Sequence, residues 1–499
     1  MLSWILKKLG NRKHDTPTQN QPADFENNSL GTDLDETIRR IQQRLGSSSD
    51  LIVRKFKLGT SPSPAAAVYI DNLADKKTVN ETVMTSLMDG VEELAQIQSA
   101  RQEHKFEIIY ERVLKIGEAS EISDWNALIM SLLSGETVLI IDGCGKAIGC
   151  GTKGGDTRGV EEPTSQVAIR GPKDGFNESL GTNIALIRRR IKNPDLRIDS
   201  MKIGKATQTN TAIMYIQGKA DEAVVREVKK RFGEAQIEAI LESGYLEKLL
   251  EDKAPTFFPT VYNTERPDAV SMNLLDGRVA IFVDGTPFVL IVPTIFFQFF
   301  HTTEDRYNRN DIRVFLRVLR YVGFIISILL PSLYVAAVTY HQDLIPTTLL
   351  IHIAASREGV PFPALVEAIL LEFSFEVLRE AGIRMPRAVG QAVSIVGALV
   401  LGQAAVQAGI ISPAMLIVVS ITGIASFATP SYNLAIAARL IRLLFLLLAA
   451  AFGFFGLVVA FIVLTAHLSS LRSLGVPYLS PFAPYRPAVQ HKPDPRAKG

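Results

Sequence analysis

The chain has 499 residues, with 53 Lys and Arg against 51 Asp and Glu and a formal net charge of +2. A charge so balanced gives no pull toward nucleic acid. Two cysteines make neither a disulfide framework nor a metal quartet, and the seven histidines are scattered, with no HExxH or triad-like grouping.

Nearly all the charge lies before Arg320 and nearly all the long apolar runs lie after it. Residues 1–28 are polar and rich in Pro, Gln and Asn, which predicts a disordered tail. The opening MLSWILKKLG is too short an apolar run for a signal peptide or anchor, so the front half is expected to stay in the cytoplasm.

An internal repeat follows. "SLGTDLDETIRRI" (Ser29–Ile41) matches "SLGTNIALIRRRI" (Ser179–Ile191), and the stretch from Leu51 parallels that from Leu196. "GETVLIIDG" (Gly135–Gly143) matches "GRVAIFVDG" (Gly277–Gly285), so three blocks recur in order at offsets of about 150, 145 and 142. Each copy reads as one plan. A helix opens it, with Leu34, Ile38, Ile41 and Leu45 on one face in the first copy. Two strands come next, then helical segments such as 222–232 and 234–250, then a strand that ends in Asp-Gly and enters a hairpin turn. The reading is two tandem similar α/β subdomains, 29–160 and 161–300.

"GCGKAIGCGTKGG" (Gly143–Gly155) has the look of a phosphate loop but fails its chemistry. Lys146 is followed by Ala147 rather than Ser or Thr, and no run fits G-x-G-x-x-G. A hairpin and linker is the expected structure there. Cys144 and Cys150 read as two small buried thiols. No cofactor, metal or catalytic constellation is expected.

The back half, 301–470, reads as an all-α multi-pass transmembrane domain. The stretch 321–340 is uncharged and long enough to span. Pro331 in its middle predicts a kink whose freed carbonyl a neighbour must satisfy, and is the candidate gating element. Arg306, Arg309, Arg313, Arg317 and Arg320 just before it place that end in the cytoplasm. From Ala388 to Ala438 no residue is charged, which suits two further crossings, 388–408 and 412–430. A last crossing, 443–466, is framed by Arg439 and Arg442 before it and Arg472 after it. Residues 471–499 read as a polar, proline-rich tail.

Between these runs lies an amphipathic helix, 362–382, carrying Glu367, Glu372, Glu376 and Glu380. The last three are four apart and form one stripe. Three readings stand. The helix lies on the membrane surface; or it lines an aqueous path in an oligomer, with Glu367, Glu372 and Glu376 as candidate pore-lining residues; or Glu376 and Glu380 pair with Arg379, Arg384 or Arg387. Four crossings put both termini in the cytoplasm, and a fifth, made by this helix, moves the tail outside.

Long stretches resemble one family. They are "EEPTSQVAIRGPKDGFNESLGTNIALIRRRI" (Glu161–Ile191), "DGRVAIFVDGTPFVLIVPTIF" (Asp276–Phe296), "PSLYVAAVTYHQDLIPTTLL" (Pro331–Leu350), "FPALVEAILLEFSFEVLREAGIRMP" (Phe362–Pro386) and "GIISPAMLIVVSITGIASFATPSYNLAIAARLIR" (Gly409–Arg442). From about Ser29 to Tyr485 the chain is similar to the A subunit of the GerA-type spore germination receptor of endospore-forming bacteria. The resemblance implies a multi-pass protein of the inner spore membrane, not an enzyme. It implies a transporter-like B subunit and a lipoprotein C subunit as partners, beside the lipid bilayer. It further implies a homo-oligomeric cation channel that opens when the partner subunit binds a nutrient. The alternatives are a secondary transporter, which predicts inverted repeats in the membrane half that are not found, and a scaffold coupling the nutrient-binding subunit to effectors.

Overall fold

The computed structural model describes residues 29–58, 63–89, 102–154, 162–163, 166, 170–252, 254–384 and 402–483. The chain forms two units. One comprises residues up to 252 with 261–293, and the other comprises 253–260 with 294 onward.

The first unit contains the duplicated plan. In the first copy, helix α1 (Leu34–Arg44) precedes strands β1 (Leu51–Lys57) and β2 (Pro64–Ile70). Helical segments 76–89 and 102–113 lead to β3 (Ala119–Ile122), α2 (Trp125–Leu133), β4 (Thr137–Ile141) and β5 (Ala147–Cys150). The antiparallel sheet has the order β1-β2-β4-β5-β3. The second copy runs α3 (Leu180–Arg190), β6 (Leu196–Ile203), β7 (Thr209–Ile216), α4 (Glu222–Gly233), α5 (Gly244–Leu250), β8 (Tyr262–Thr264), α6 (Pro267–Leu275), β9 (Val279–Val283) and β10 (Val289–Val292). Its sheet order, β6-β7-β9-β10-β8, repeats the first strand for strand.

Helices cover both faces of the first sheet, which is why every residue of β4 is buried. Leu34, Ile38 and Ile41 of α1 and Trp125, Leu128 and Leu132 of α2 pack on Val68, Val138 and Ile140. Leu139, Ile141 and Ile148 point the other way, onto Val83, Leu87, Phe106 and Ile109. Each such side chain contributes roughly 1.5–3 kcal/mol by burial.

The recurring blocks meet in space. The Asp142 carboxylate accepts from Leu34 N at 3.2 Å and Gly143 N donates to Thr32 O at 2.8 Å. In the second copy Asp284 accepts from Leu180 N at 3.2 Å and Gly285 N donates to Glu178 O at 2.8 Å. Each Asp-Gly turn thus holds the N-terminus of its own copy's first helix, where amide groups need an acceptor.

The copies join through charge. Arg188 of α3, 1% exposed, donates from Nε to Asp50 Oδ2 at 2.9 Å and from Nη2 to Ser48 Oγ at 3.0 Å. Ser48 Oγ in turn donates to Asp50 at 2.7 Å. Arg44 pairs with Asp195 at 2.7 Å nearby.

"GCGKAIGCG" is a hairpin: residues 147–150 pair with β4, Gly143 N donates to Thr32 O at 2.8 Å and Cys144 N donates to Ile141 O at 3.2 Å, and the stretch does not open a helix as a phosphate loop would. The helix expected over 234–250 is shorter and begins at Gly244. The preceding backbone is drawn to the β6–β7 turn instead. Lys205 N and Ala206 N donate to Ile237 O and Glu238 O at 3.0 and 2.8 Å.

In the second unit α7 (Asn310–Tyr340) is one 31-residue helix that passes through Pro331. Then come α8 (Thr347–Arg357), α9 (Ala364–Arg384), α10 (Pro413–Ser426) and α11 (Tyr432–Ser470). Among the described residues, α7 and α11 are long and apolar enough to cross a membrane. The expected crossing 321–340 lies within α7. Of the expected crossing 388–408, residues 388–401 lie outside the described residues. The one expected over 412–430 is a helix of 14 residues, short for a span.

The crossing expected over 443–466 is not a straight helix. At Gly453 the backbone takes φ 62°, ψ −143°. Arg442 reaches Ser327 O of α7 at 3.3 Å and Tyr340 reaches Ala450 O at 2.9 Å, so residues 432–452 run parallel to α7. A straight continuation would carry residue 467 about 37 Å beyond Arg442. Instead a Cβ placed on Gly456 would lie 2.3 Å from Leu448 O. The ring of His467 lies 6.5 Å from Phe258, which packs on Phe296, itself 5.9 Å from Phe324 of α7. The element is a helical hairpin, 432–452 and 454–470, reversing at Gly453.

Part of the expected tail is folded too. A ribbon of β11 (Arg472–Ser473) and β12 (Val476–Pro477) is anchored by Ser473 Oγ, which donates to Thr260 O and accepts from Thr294 N, and by the buried Tyr478, which donates to Pro259 O at 2.7 Å.

Candidate functional site: the ion-pair ladder of the helical unit

Helix α9 enters the bundle rather than lying apart from it. Ala364, Ala368 and Leu371 share a core with Val335 of α7, Met415 and Val419 of α10 and Leu446 of α11. This packing turns the glutamates toward specific partners.

Glu367 is fully buried. Its Oε2 accepts from Ser412 N at 2.8 Å and Ser412 Oγ at 2.7 Å, and Oε1 lies 3.2 Å from the Arg357 guanidinium. Ser412 is also the N-cap of α10, so Glu367 fixes where that helix begins.

One and a half turns on, Glu372 Oε2 lies 2.5 Å from Arg442 Nη2, with the two side chains 15% and 7% exposed. Arg442 Nη1 donates to Ser327 O, which is residue i−4 to Pro331. Proline has no N–H to close that helical bond. The carbonyl that Pro331 frees is therefore met by the same guanidinium that neutralises Glu372, and one arginine ties α7, α9 and α11 together.

Glu376 is half-exposed and pairs with Arg379 at 2.9 Å and with Arg439 of α11. Glu380 pairs with Arg384 at 2.6 Å. Arg387 lies outside the described residues. Of the candidate residues, Glu372 and Glu376 share one ladder with the Ser327 carbonyl that Pro331 frees, whereas Glu367 belongs to a separate cluster with Arg357 and Ser412.

Arg439 and Arg442, which the sequence reading placed only as flanks of a crossing, are the cations that complete this ladder. The signal that finds them is stoichiometric. Acids in an apolar helix need cations, and a proline in a helix needs a donor for its i−4 carbonyl. Among the described residues, no group of three or more His, Cys, Asp or Glu is placed to hold a metal.

The chain thus combines a duplicated α/β unit with an apolar helical unit in which arginines of α11 pair with acids of α9. Residues 39–492 match the family model described as Bacillus/Clostridium GerA spore germination protein, and the chain belongs to that family of germinant-receptor subunits. Spore germination protein KA of Bacillus subtilis (strain 168) is 51% identical over 91% of this chain and 83% of its own length. The B. subtilis (strain 168) protein named uncharacterized membrane protein YfkQ is 41% identical over 93% of this chain and 88% of its own. Among solved structures, the N-terminal domain of the A subunit of the Bacillus megaterium spore germinant receptor GerK3 matches at 42% identity and a TM-score of 0.43. It covers 54% of this chain and 97% of that one. Such subunits act in complexes with other germinant-receptor subunits.

Proposed function

We propose that this chain is the A subunit of a nutrient-sensing receptor in the inner spore membrane. It works with a transporter-like B subunit and a lipoprotein C subunit, and as a homo-oligomer it conducts cations when a partner subunit binds a nutrient. In this reading 29–160 and 161–300 are cytoplasmic subdomains and 301–470 is a multi-pass membrane domain.

The observation that carries the reading is the position of Arg442. A charged side chain inside an apolar bundle costs several kcal/mol unless paired, and it persists where it serves a pathway or a switch. Arg442 is paired twice, with Glu372 and with the carbonyl freed by Pro331. In the resting state the acids of α9 are neutralised by arginines of their own chain. When the 432–452 leg moves away, Glu372 and Glu376 are bared toward the axis of an oligomer, where repeated carboxylates favour cations.

The ribbon supports a matching topology. Tyr478 and Phe324 both pack on Phe296, so the ribbon lies beside the first turn of the uncharged stretch 321–340 of α7. This supports a reading in which the 472–478 ribbon lies on the cytoplasmic side of the membrane, after an even number of crossings.

Neutralising both acids, Glu372→Gln with Glu376→Gln, tests the reading. Ion release during germination is expected to change at unchanged protein level and membrane insertion, and unaltered release rejects the conducting role.

A further inference from the structure

The 432–452 leg ends in a backbone conformation that only glycine adopts without strain, φ 62° and ψ −143° at Gly453. Space is as restrictive as conformation there, since a Cβ would lie 2.7 Å from His341 Cε1. A helix that stops leaves its last carbonyls without donors. Ala450 O and Ala451 O would be served by the amides of residues 454 and 455 in a continuous helix, and these lie beyond the reversal. The Tyr340 hydroxyl takes over, donating to Ala450 O at 2.9 Å and Ala451 O at 3.1 Å. Next to it, the His341 ring packs edge-on against Phe454 at 4.8 Å.

Two residues at the end of α7 thus hold both sides of the hairpin's turn. Arg442 sits three helical turns below that turn on a leg with no other break, so a displacement at Gly453 is carried along the leg to the Glu372 pair.

We infer that Tyr340 is a positioning residue. Its hydroxyl latches the reversal at Gly453 and so sets the place of Arg442 against Glu372, and release of this latch is a step in activation. The functional part rests on the receptor reading above; the latch itself does not. The chemistry is one hydrogen-bond donor offered to two helix-end carbonyls, so removing the oxygen alone removes the latch while the ring still fills its place.

The test uses the full-length protein in its membrane with Ala449→Cys as a reporter. Ala449 is fully buried, one turn before the break, and the chain's own Cys144 and Cys150 are buried in the other unit. Adding Tyr340→Phe is expected to raise the rate of labelling by a water-soluble maleimide about fivefold or more. In spores exposed to a complete amino-acid and glucose mixture, Tyr340→Phe is expected to lower the concentration for half-maximal potassium release about threefold with maximal release retained. A merely structural role would reduce the maximum instead. If Tyr340→Phe accumulates poorly, Tyr340→Gln, which keeps an N–H donor, and Tyr340→Leu, which has none, give the same contrast. An unchanged labelling rate overturns the latch whatever potassium release does. Faster labelling with unaltered release supports the latch and counts instead against conduction by this chain.

Discussion

Arg442 lies 2.5 Å from Glu372 while its other terminal nitrogen donates to Ser327 O, the carbonyl that Pro331 leaves without a helical partner. Three helices share one guanidinium. Its planar fork can serve two acceptors at once, which the point charge of a lysine does less well.

Removing one member of this pair leaves the other buried and unpaired. Arg442→Ala and Glu372→Ala are each expected to destabilise the helical unit by about 3–5 kcal/mol. The joint replacement Arg442→Met with Glu372→Leu is expected to cost less than either. Thermal unfolding in detergent checks this, and additive losses would show that the two side chains do not act on one another.

Pro331→Ala restores an N–H at position 331, giving Ser327 O its helical donor and loosening the hold on Arg442. We expect α7 to tolerate the change, and Arg442→Ala to become milder by about 1 kcal/mol in that background, the worth of one hydrogen bond. A double-mutant cycle on melting temperature reads the coupling, which would be near zero if the 3.3 Å contact carried no energy. The same variant is expected to shift nutrient sensitivity, seen in a dose–response of ion release.

The seam between the two copies depends on Asp50 as the helical unit depends on Glu372. Asp50→Ala strands Arg188 in a site where it is 1% exposed and is expected to cost about 3–5 kcal/mol. Asp50→Asn keeps an acceptor for Arg188 and is expected to lose less. Urea denaturation of the full-length protein, followed by signals from the α/β unit, separates the two.

Glu247 on α5 has a carboxyl raised to about 7 by burial and by the nearby acids Glu251 and Glu242. Its folded pKa lies above the usual carboxylate value, so between about pH 4.5 and 7 the folded protein binds more protons than the unfolded one. Stability is expected to fall as pH rises through that window, by about 1–2 kcal/mol after allowing for partial exposure. Glu247→Gln is expected to flatten the slope and stabilise the protein at pH 8. Melting temperature against pH for the two proteins decides it.

The Cys150 thiol is pushed up to about 12 by burial and then by the charge of Glu136. At pH 8 it holds almost no thiolate, the reactive form. Maleimide labelling of the folded protein is expected to be at least a hundredfold slower than in denaturant.

Much of the α/β unit was legible in the sequence, because its information is local and doubled. Alternation and helical spacing mark α1, β1, β2 and β4, and the recurrence of "SLGT" with "DG" marks two partners that bond in each copy. The edge strands β3 and β8 were not legible, since four and three residues of mixed polarity carry no period. In the helical unit, composition identified 321–340 and the need of the carbonyl freed by Pro331 for a donor, but not the donor's identity. Gly453 lies in a uniformly apolar run with a second glycine, Gly456, close by, and its reversal is decided by what Tyr340 and His341 bring from another helix. Arg439 and Arg442 look like the border of a span when a window counts charges, and become bundle residues only once α9 presents its acids.

The conducting role proposed above requires that the acids of α9, paired with arginines in this structure, face cations when the leg shifts. Reversal potential under a potassium chloride gradient, measured on the oligomer purified with its partner subunits and placed in planar bilayers, tests this most directly. A cation-selective potential that collapses toward zero in Glu372→Gln with Glu376→Gln is the predicted result. A current whose selectivity is the same with and without those carboxylates would contradict it.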